Sequence, residues 1–211
     1  MIRIIITDDH PIVRQGIRQI LEDDRDQRFV VIDEATDSSD LLEKVLHNVY
    51  DVALLDISLP GRSGLDILPD LKKRSPNTRV IMLSMYPEEQ YAVKALKSGA
   101  SGYLTKSSAP EELISAVVKV SNGEKYITSG LAEIITRNFF YGSGEHPHDL
   151  LSTRELEVIK LLASGNKLNQ IAGILALSPK TVSTYRSRIL EKLNLKTTSE
   201  IIRYAFNNNI E

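Results

Sequence analysis

Val52-Ala53-Leu54-Leu55-Asp56-Ile57-Ser58-Leu59-Pro60-Gly61 is the stretch whose reading decides the fold. An unbroken apolar run meets an aspartate, and a Pro-Gly turn signal follows at once. A short continuous apolar run bounded in this way reads as a strand buried on both faces, as in a parallel sheet. Its last residue is a carboxylate facing a loop. The pattern recurs on either side. Ile2 to Thr7 stops at Asp8-Asp9, and Gly102-Tyr103-Leu104-Thr105 stops at Lys106. Phe29–Ala35 and Val80–Ser84 complete a set of five strand-like runs. In a parallel sheet these ends lie side by side, and ligands bind in the crevice outside them. Three carboxylates and one ammonium then converge on one crevice, an arrangement suited to a divalent cation and a phosphoryl group.

Between the strands lie segments of helical period. Ile12, Ile17, Ile20 and Leu21 share one face of the first, and Leu41, Leu42, Val45 and Leu46 mark the second. Leu65, Ile67, Leu68 and Leu71 follow in the third. Tyr91, Val93, Ala95 and Leu96 belong to a fourth that Gly99 stops, and Leu113, Ile114, Val117 and Val118 to a fifth that Pro110 opens. Five alternations of strand and helix predict an α/β fold: a five-stranded, parallel, doubly wound sheet over residues 1–120, with right-handed crossovers.

Residues 121–147 differ in texture. A short helix is expected from about Ser129 to Phe139, and then Gly, Ser and Pro mark a flexible linker. His146 and His148, flanking a proline, read as solvent-exposed rather than metal-binding. Gly142 and Gly144 lack the strand-to-helix context of a phosphate loop. From residue 148 to 211 no strand pattern occurs. Ser152-Thr153-Arg154-Glu155 is a capping box, with Leu156, Ile159 and Leu162 on the apolar face that follows. Leu168–Leu175 is a second helix. Ser178-Pro179 opens a third, through Leu193, and Ser199–Asn207 is a fourth. The expectation is an all-α, four-helix domain.

The chain has 211 residues and no cysteine, which excludes disulfides and cysteine-based metal sites or catalysis. No run approaches the roughly 20 apolar residues of a membrane span, so no membrane is expected and a cytoplasmic location is. The net charge of −2 conceals an asymmetry. Residues 1–120 carry 15 Lys+Arg against 19 Asp+Glu, and residues 146–211 carry 9 against 6. An acidic first part and a basic last part point to different partners.

The strand ends also have a chemistry. Mg²⁺ prefers octahedral oxygen coordination, keeps several waters, and uses one or two carboxylates with phosphate oxygens. Asp8 or Asp9 together with Asp56 meets that demand. A carboxylate can also be a nucleophile that carries a phosphoryl group, the metal offsetting repulsion from the anionic donor. Lys106 supplies a fixed positive charge for one phosphoryl oxygen. Ser84, ending the fourth strand, supplies a hydroxyl donor for another.

Asp8-Asp9-His10-Pro11, Asp56 to Gly64, Ser84, and Gly99 to Lys106 together resemble the receiver domain of two-component response regulators. The resemblance covers residues 1–120 and implies a flavodoxin-like sheet. It implies Asp56 as phosphoacceptor, Asp8, Asp9 and Asp56 as the Mg²⁺ cluster, and Ser84 with Tyr103 as a coupled switch pair. In that scheme the Ser84 hydroxyl moves onto the phosphoryl group and the Tyr103 ring turns inward. Ser58 and Tyr86 flank the site and are expected to tune dephosphorylation. Met85 stands where a smaller residue is usual and is expected to narrow access.

The second and third helices of the last part have the lengths of a helix-turn-helix, whose second helix enters the major groove at its start. That start, Lys180-Thr181-Val182-Ser183-Thr184-Tyr185-Arg186-Ser187-Arg188, is rich in hydrogen-bonding and cationic side chains. Leu151 to Val158, Gly165, Ile171-Ala172 and Ser178 to Val182, with Lys192-Leu193-Asn194, resemble the LuxR-type DNA-binding domain over residues 148–211. With the receiver, the whole chain is similar to the NarL/FixJ class, its DNA-binding helix being closest to the GacA/UvrY subgroup. Ser183 and Tyr185 depart from the commoner Lys and His. Ser183, Thr184 and Ser187 are expected near base edges; Lys180, Thr181, Arg186 and Arg188 are expected near phosphates or groove edges. The implied partners are double-stranded DNA, a sensor histidine kinase or small phosphodonor, and a second copy of the chain, paired through Ser199–Asn207 when active. Two further readings stay open: a regulator that binds DNA independently of phosphate, and a phosphohydrolase whose aspartyl-phosphate turns over.

Overall fold

The computed structural model describes residues 1–140, 147–208 and 210. The chain divides into two compact units, Met1–Gly142 and Ser143–Glu211. In the first, strands β1 (Ile2–Thr7), β2 (Phe29–Ala35), β3 (Val52–Asp56), β4 (Arg79–Ser84) and β5 (Gly102–Thr105) alternate with helices α1 (Pro11–Glu22), α2 (Ser38–His47), α3 (Gly64–Arg74), α4 (Glu88–Lys97) and α5 (Pro110–Ser121). All strand pairs are parallel, in the order β2-β1-β3-β4-β5. This is the doubly wound order whose crevice lies between β1 and β3.

Strand residues alternate between the two faces. Ile4, Ile6, Val52, Leu54, Ile81, Leu83 and Leu104 share one core with Leu21 of α1 and Leu113, Val117 and Val120 of α5. Continuing the same alternation past the strand ends brings Asp8, Asp56 and Lys106 to one side. Met82, Ser84 and Tyr103 have the opposite parity, and Met82 pairs directly with Tyr103 across β4 and β5. The period of two therefore places the carboxylate–lysine group on one face of this sheet edge and Ser84 and Tyr103 on the other.

The helix expected in residues 121–147 runs Ser129–Phe140 (α6) and packs against α4. His146, Gly142 and Gly144 lie outside the described residues. His148 lies in a short 3-10 turn, Pro147–Leu150, and is half-buried rather than exposed, with Nδ1 3.0 Å from the Tyr204 hydroxyl. The second unit continues with α7 (Thr153–Ala163), α8 (Leu168–Ile174), α9 (Pro179–Lys192) and α10 (Thr198–Asn207) around Val158, Ile159, Leu162, Ile171, Val182, Ile189 and Ile201. The Ser152 capping box forms as the sequence predicts, and its Glu155 also accepts from Lys192 at 2.6 Å, tying the start of α7 to the end of α9. Among the described residues no helix is long and apolar enough to cross a membrane.

Candidate phosphoryl site and nucleic-acid interface

Asp56 stands at the C-terminal end of β3 and is fully buried, as is Asp8 just beyond β1. Two local devices hold this edge. The Ile57 N–H donates to Leu83 O at 3.0 Å, extending the ladder past the strand. Gly64, opening α3, approaches so closely that a Cβ there would lie 1.9 Å from Asp56 O, so no other residue fits. The Lys106 backbone N–H bonds Ser84 O at 2.7 Å, which aims its side chain back across the strand ends.

Lys106 Nζ lies 2.7 Å from Asp8 Oδ2 and 2.8 Å from Asp56 Oδ2. Among the described residues Asp56 Oδ1 has no hydrogen-bond partner of ordinary geometry, while the Ser58 backbone N–H favours the anion. Burial pushes the Asp56 carboxyl above its usual range, opposed by the bond and charge of Lys106 and reinforced by the charge of Asp8. Burial would by itself lower the Lys106 ammonium, but its bonds to Asp56 and Asp8 outweigh that and raise it. Each group thus favours the charged form of the other.

Asp9 and His10 complete the group from the exposed side. Ligand atoms of Asp8, Asp9, His10 and Asp56 all lie within 4.8 Å of one another. His10 Nδ1 is 3.1 Å from Asp8 Oδ1 and 2.8 Å from Asp9 Oδ1, and its backbone N–H donates to Asp8 Oδ1. Sequence pattern gives His10 no role of its own; its position directly after two aspartates is the one signal of this contact. A second feature that sequence reasoning misses is the brace under Asp8. Arg14 donates to Asp8 O at 2.7 Å, and Glu34 accepts from both Arg14 and Arg18. Burial works against the Glu34 carboxylate, yet the two guanidinium bonds hold it below the usual range.

Ser84 and Tyr103, the pair that the resemblance implies as a switch, meet at Tyr86. Its backbone N–H donates to Ser84 Oγ at 2.9 Å, and its carbonyl accepts from the buried Tyr103 hydroxyl at 2.9 Å. Sequence spacing does not reveal this, because both bonds use main-chain atoms. Met85 is 75% exposed.

On α9, Lys180, Ser183, Thr184, Ser187 and Arg188 are exposed, while Thr181, Tyr185 and Arg186 are half-buried. Positions 180, 183, 184 and 187 follow helical spacing and form one open stripe. Val182 and Ile189 face the core, as their spacing predicts. Arg186 Nε donates to Thr198 Oγ1 at 2.7 Å, so α10 steadies that side chain. The Thr184 and Ser187 hydroxyls donate to Lys180 O and Ser183 O within the helix.

Residues 4–118 match the sequence profile of the response regulator receiver domain, and residues 149–205 match that of the bacterial regulatory proteins of the luxR family. The response regulator UvrY of Escherichia coli (strain K12) is 37% identical over 206 residues, covering 97% of this chain and 94% of that protein. The oxygen regulatory protein NreC of Staphylococcus carnosus (strain TM300) is 37% identical over 210 residues, covering 96% of each. Among solved structures, RcsB from Salmonella enterica serovar Typhimurium, bound to promoter rprA in the presence of phosphomimetic BeF3-, aligns with a TM-score of 0.61. Its identity is 27%, over 96% of this chain and 97% of that one.

Proposed function

The chain belongs to the response regulators that join a receiver domain to a LuxR-family regulatory domain, and on that premise we propose that Asp56 is its phosphoacceptor and that the phosphoryl state governs promoter binding. The observation that carries the reading is the environment of Asp56: among the described residues one carboxylate oxygen is held by Lys106, the other has no hydrogen-bond partner, and Asp56 offers a ligand atom within 4.8 Å of those of Asp8, Asp9 and His10. An unpartnered buried carboxylate oxygen is costly unless something binds it. Asp8, Asp9 and Asp56 fit a hard divalent cation through their oxygens and would hold Mg²⁺. When bound, that ion neutralises charge between the nucleophile and the phosphoryl donor.

The remaining steps belong to the chain's own residues. An Asp56 oxygen attacks phosphorus; the new O–P bond forms as the donor's N–P bond breaks, and the departing imidazole of a histidine kinase takes up a proton. Lys106 keeps its charge through the step and balances the added negative oxygen. Ser84 can donate its hydroxyl proton to a phosphoryl oxygen. Burial pushes the Asp56 carboxyl up, and the bond and charge of Lys106 favour the ionised form that acts as nucleophile.

The second unit carries a basic surplus and the exposed stripe on α9. RcsB, similar over nearly the full length, has been solved on a promoter. By that likeness α9 enters the major groove, with Ser183, Thr184 and Ser187 toward base edges and Lys180, Thr181, Arg186 and Arg188 toward phosphates. A two-fold dimer, paired through α10, would read half-sites about one helical turn apart. Acetyl phosphate with Mg²⁺ is expected to label the native chain once. Asp56→Asn should abolish that label, and retained label in the variant would remove Asp56 from the reaction.

A further inference from the structure

Thr128, just before α6, joins two elements. Its hydroxyl oxygen accepts from the Leu131 N–H at 3.1 Å, capping α6. Its proton is shared between both carboxylate oxygens of Glu88, at 2.8 and 2.7 Å. Gly130 lies against that carboxylate: a Cβ there would make ordinary contact with Glu88 Oε2 at 3.4 Å. No ion pair draws Glu88 elsewhere among the described residues. Glu88 is the first residue of α4, and the residue before it is Pro87, with φ −65°. Proline cannot rotate about φ, so Tyr86 and Glu88 are joined by a stiff link. Tyr86 is the residue whose main chain is held by both Ser84 and Tyr103, and its ring meets Tyr91 of α4 edge-on at 5.1 Å.

We propose that Glu88 and Thr128 are the positioning pair through which the phosphoryl state of Asp56 reaches α6. This rests on Asp56 being the phosphoacceptor. When Ser84 turns its hydroxyl to a phosphoryl oxygen, Oγ leaves the Tyr86 N–H. The β4–α4 loop resettles, Pro87 carries Glu88 with it, and the carboxylate withdraws from Thr128. A hydrogen bond is lost once donor and acceptor part beyond about 3.5 Å or bend well below ~120°. α6 keeps its cap but loses its tether to α4. Since α6 is the last helix of the first unit, the change passes along the chain toward the second.

The test is amide hydrogen exchange of residues 129–136 in the full-length chain, with and without acetyl phosphate and Mg²⁺. Intact mass gives the phosphoryl occupancy of the same samples. In the native chain, exchange in α6 should rise about tenfold on phosphorylation, the worth of one such hydrogen bond. Glu88→Ala leaves the Thr128 cap in place and should exchange at the fast rate in both states. Glu88→Gln keeps an acceptor oxygen and should restore the dependence on phosphorylation, which a purely structural role of Glu88 would not require. Equal α6 exchange with and without acetyl phosphate, where intact mass shows full phosphorylation of the treated native chain, would overturn the proposal, as would a dependence that survives Glu88→Ala. No mass gain in the native chain would instead overturn the assignment of Asp56, and the coupling with it.

Discussion

At the scale of the residue, the organising fact is a buried carboxylate whose ionisation the fold resists and one ammonium favours. The folded-state pKa of Asp56 lies above its unfolded value, chiefly through burial. Its contribution to stability is therefore fully present below the unfolded pKa and is lost as pH rises through the folded one. Lys106 is also raised, so its contribution holds below the ordinary lysine pKa and is lost in the alkaline range above it. Asp56→Asn removes the carboxylate that repels Asp8. In metal-free buffer the variant is expected to be more stable than the native chain at pH 7, with the gap closing as pH falls through the acidic range. Urea midpoints at a series of pH values check this. A gap that widens toward acid would mean the carboxylate is a stabilising ion-pair member rather than a site held under strain.

At the scale of the element, the turn between α8 and α9 shows how local conformation sets up the interface. Ala176 has φ 52°, the left-handed region that an L-residue enters at a cost of about 1–2 kcal/mol. It does so because the turn closes α8: the Leu177 N–H bonds Ala172 O at 2.8 Å and the Ala176 N–H bonds Gly173 O at 3.3 Å. Ser178 then caps α9 through the Thr181 N–H, with Pro179 at the first helical position. Ala176→Gly should stabilise the second unit by about 0.5–1 kcal/mol, the relief of strain exceeding the extra freedom of the unfolded glycine. The midpoint of the transition that follows the α8 and α9 amides by NMR is the measurement, and an unchanged or lower midpoint would show that Ala176 is unstrained.

At the scale of the whole molecule, the two units carry opposite charge, and each sign suits its partner. On the proposed function, the acidic first unit suits a cation and the basic second unit suits a polyanion. Lys180 is exposed at the start of α9, on the open stripe. Lys180→Ala should weaken binding to specific and non-specific DNA alike. The slope of log affinity against log salt should fall by about one unit per chain, as expected for one phosphate contact. Binding titrations at three or more salt concentrations decide it. A loss confined to one sequence would make Lys180 a base reader instead.

Strand and helix order, the two-part organisation and the positions of Asp8, Asp56, Ser84 and Lys106 were legible in the sequence. Each depends on local pattern: an apolar run, the period of two or 3.6, a cap, a charged residue at a strand end. Ser183, Thr184 and Ser187 were legible as an outward stripe for the same reason, since helical period alone separates them from Val182 and Ile189. The clasp of Thr128 on Glu88, 40 residues apart, was not legible. Nor were the bridge that Tyr86 makes between Ser84 and Tyr103, the contact of His10 with the carboxylates, or the bond that holds Arg186 to α10. These are hydrogen bonds and polar contacts whose geometry is made or lost over a few tenths of an ångström. Pattern in a sequence specifies which face a residue takes. The distance across which two such faces meet is set only when every layer between them has packed.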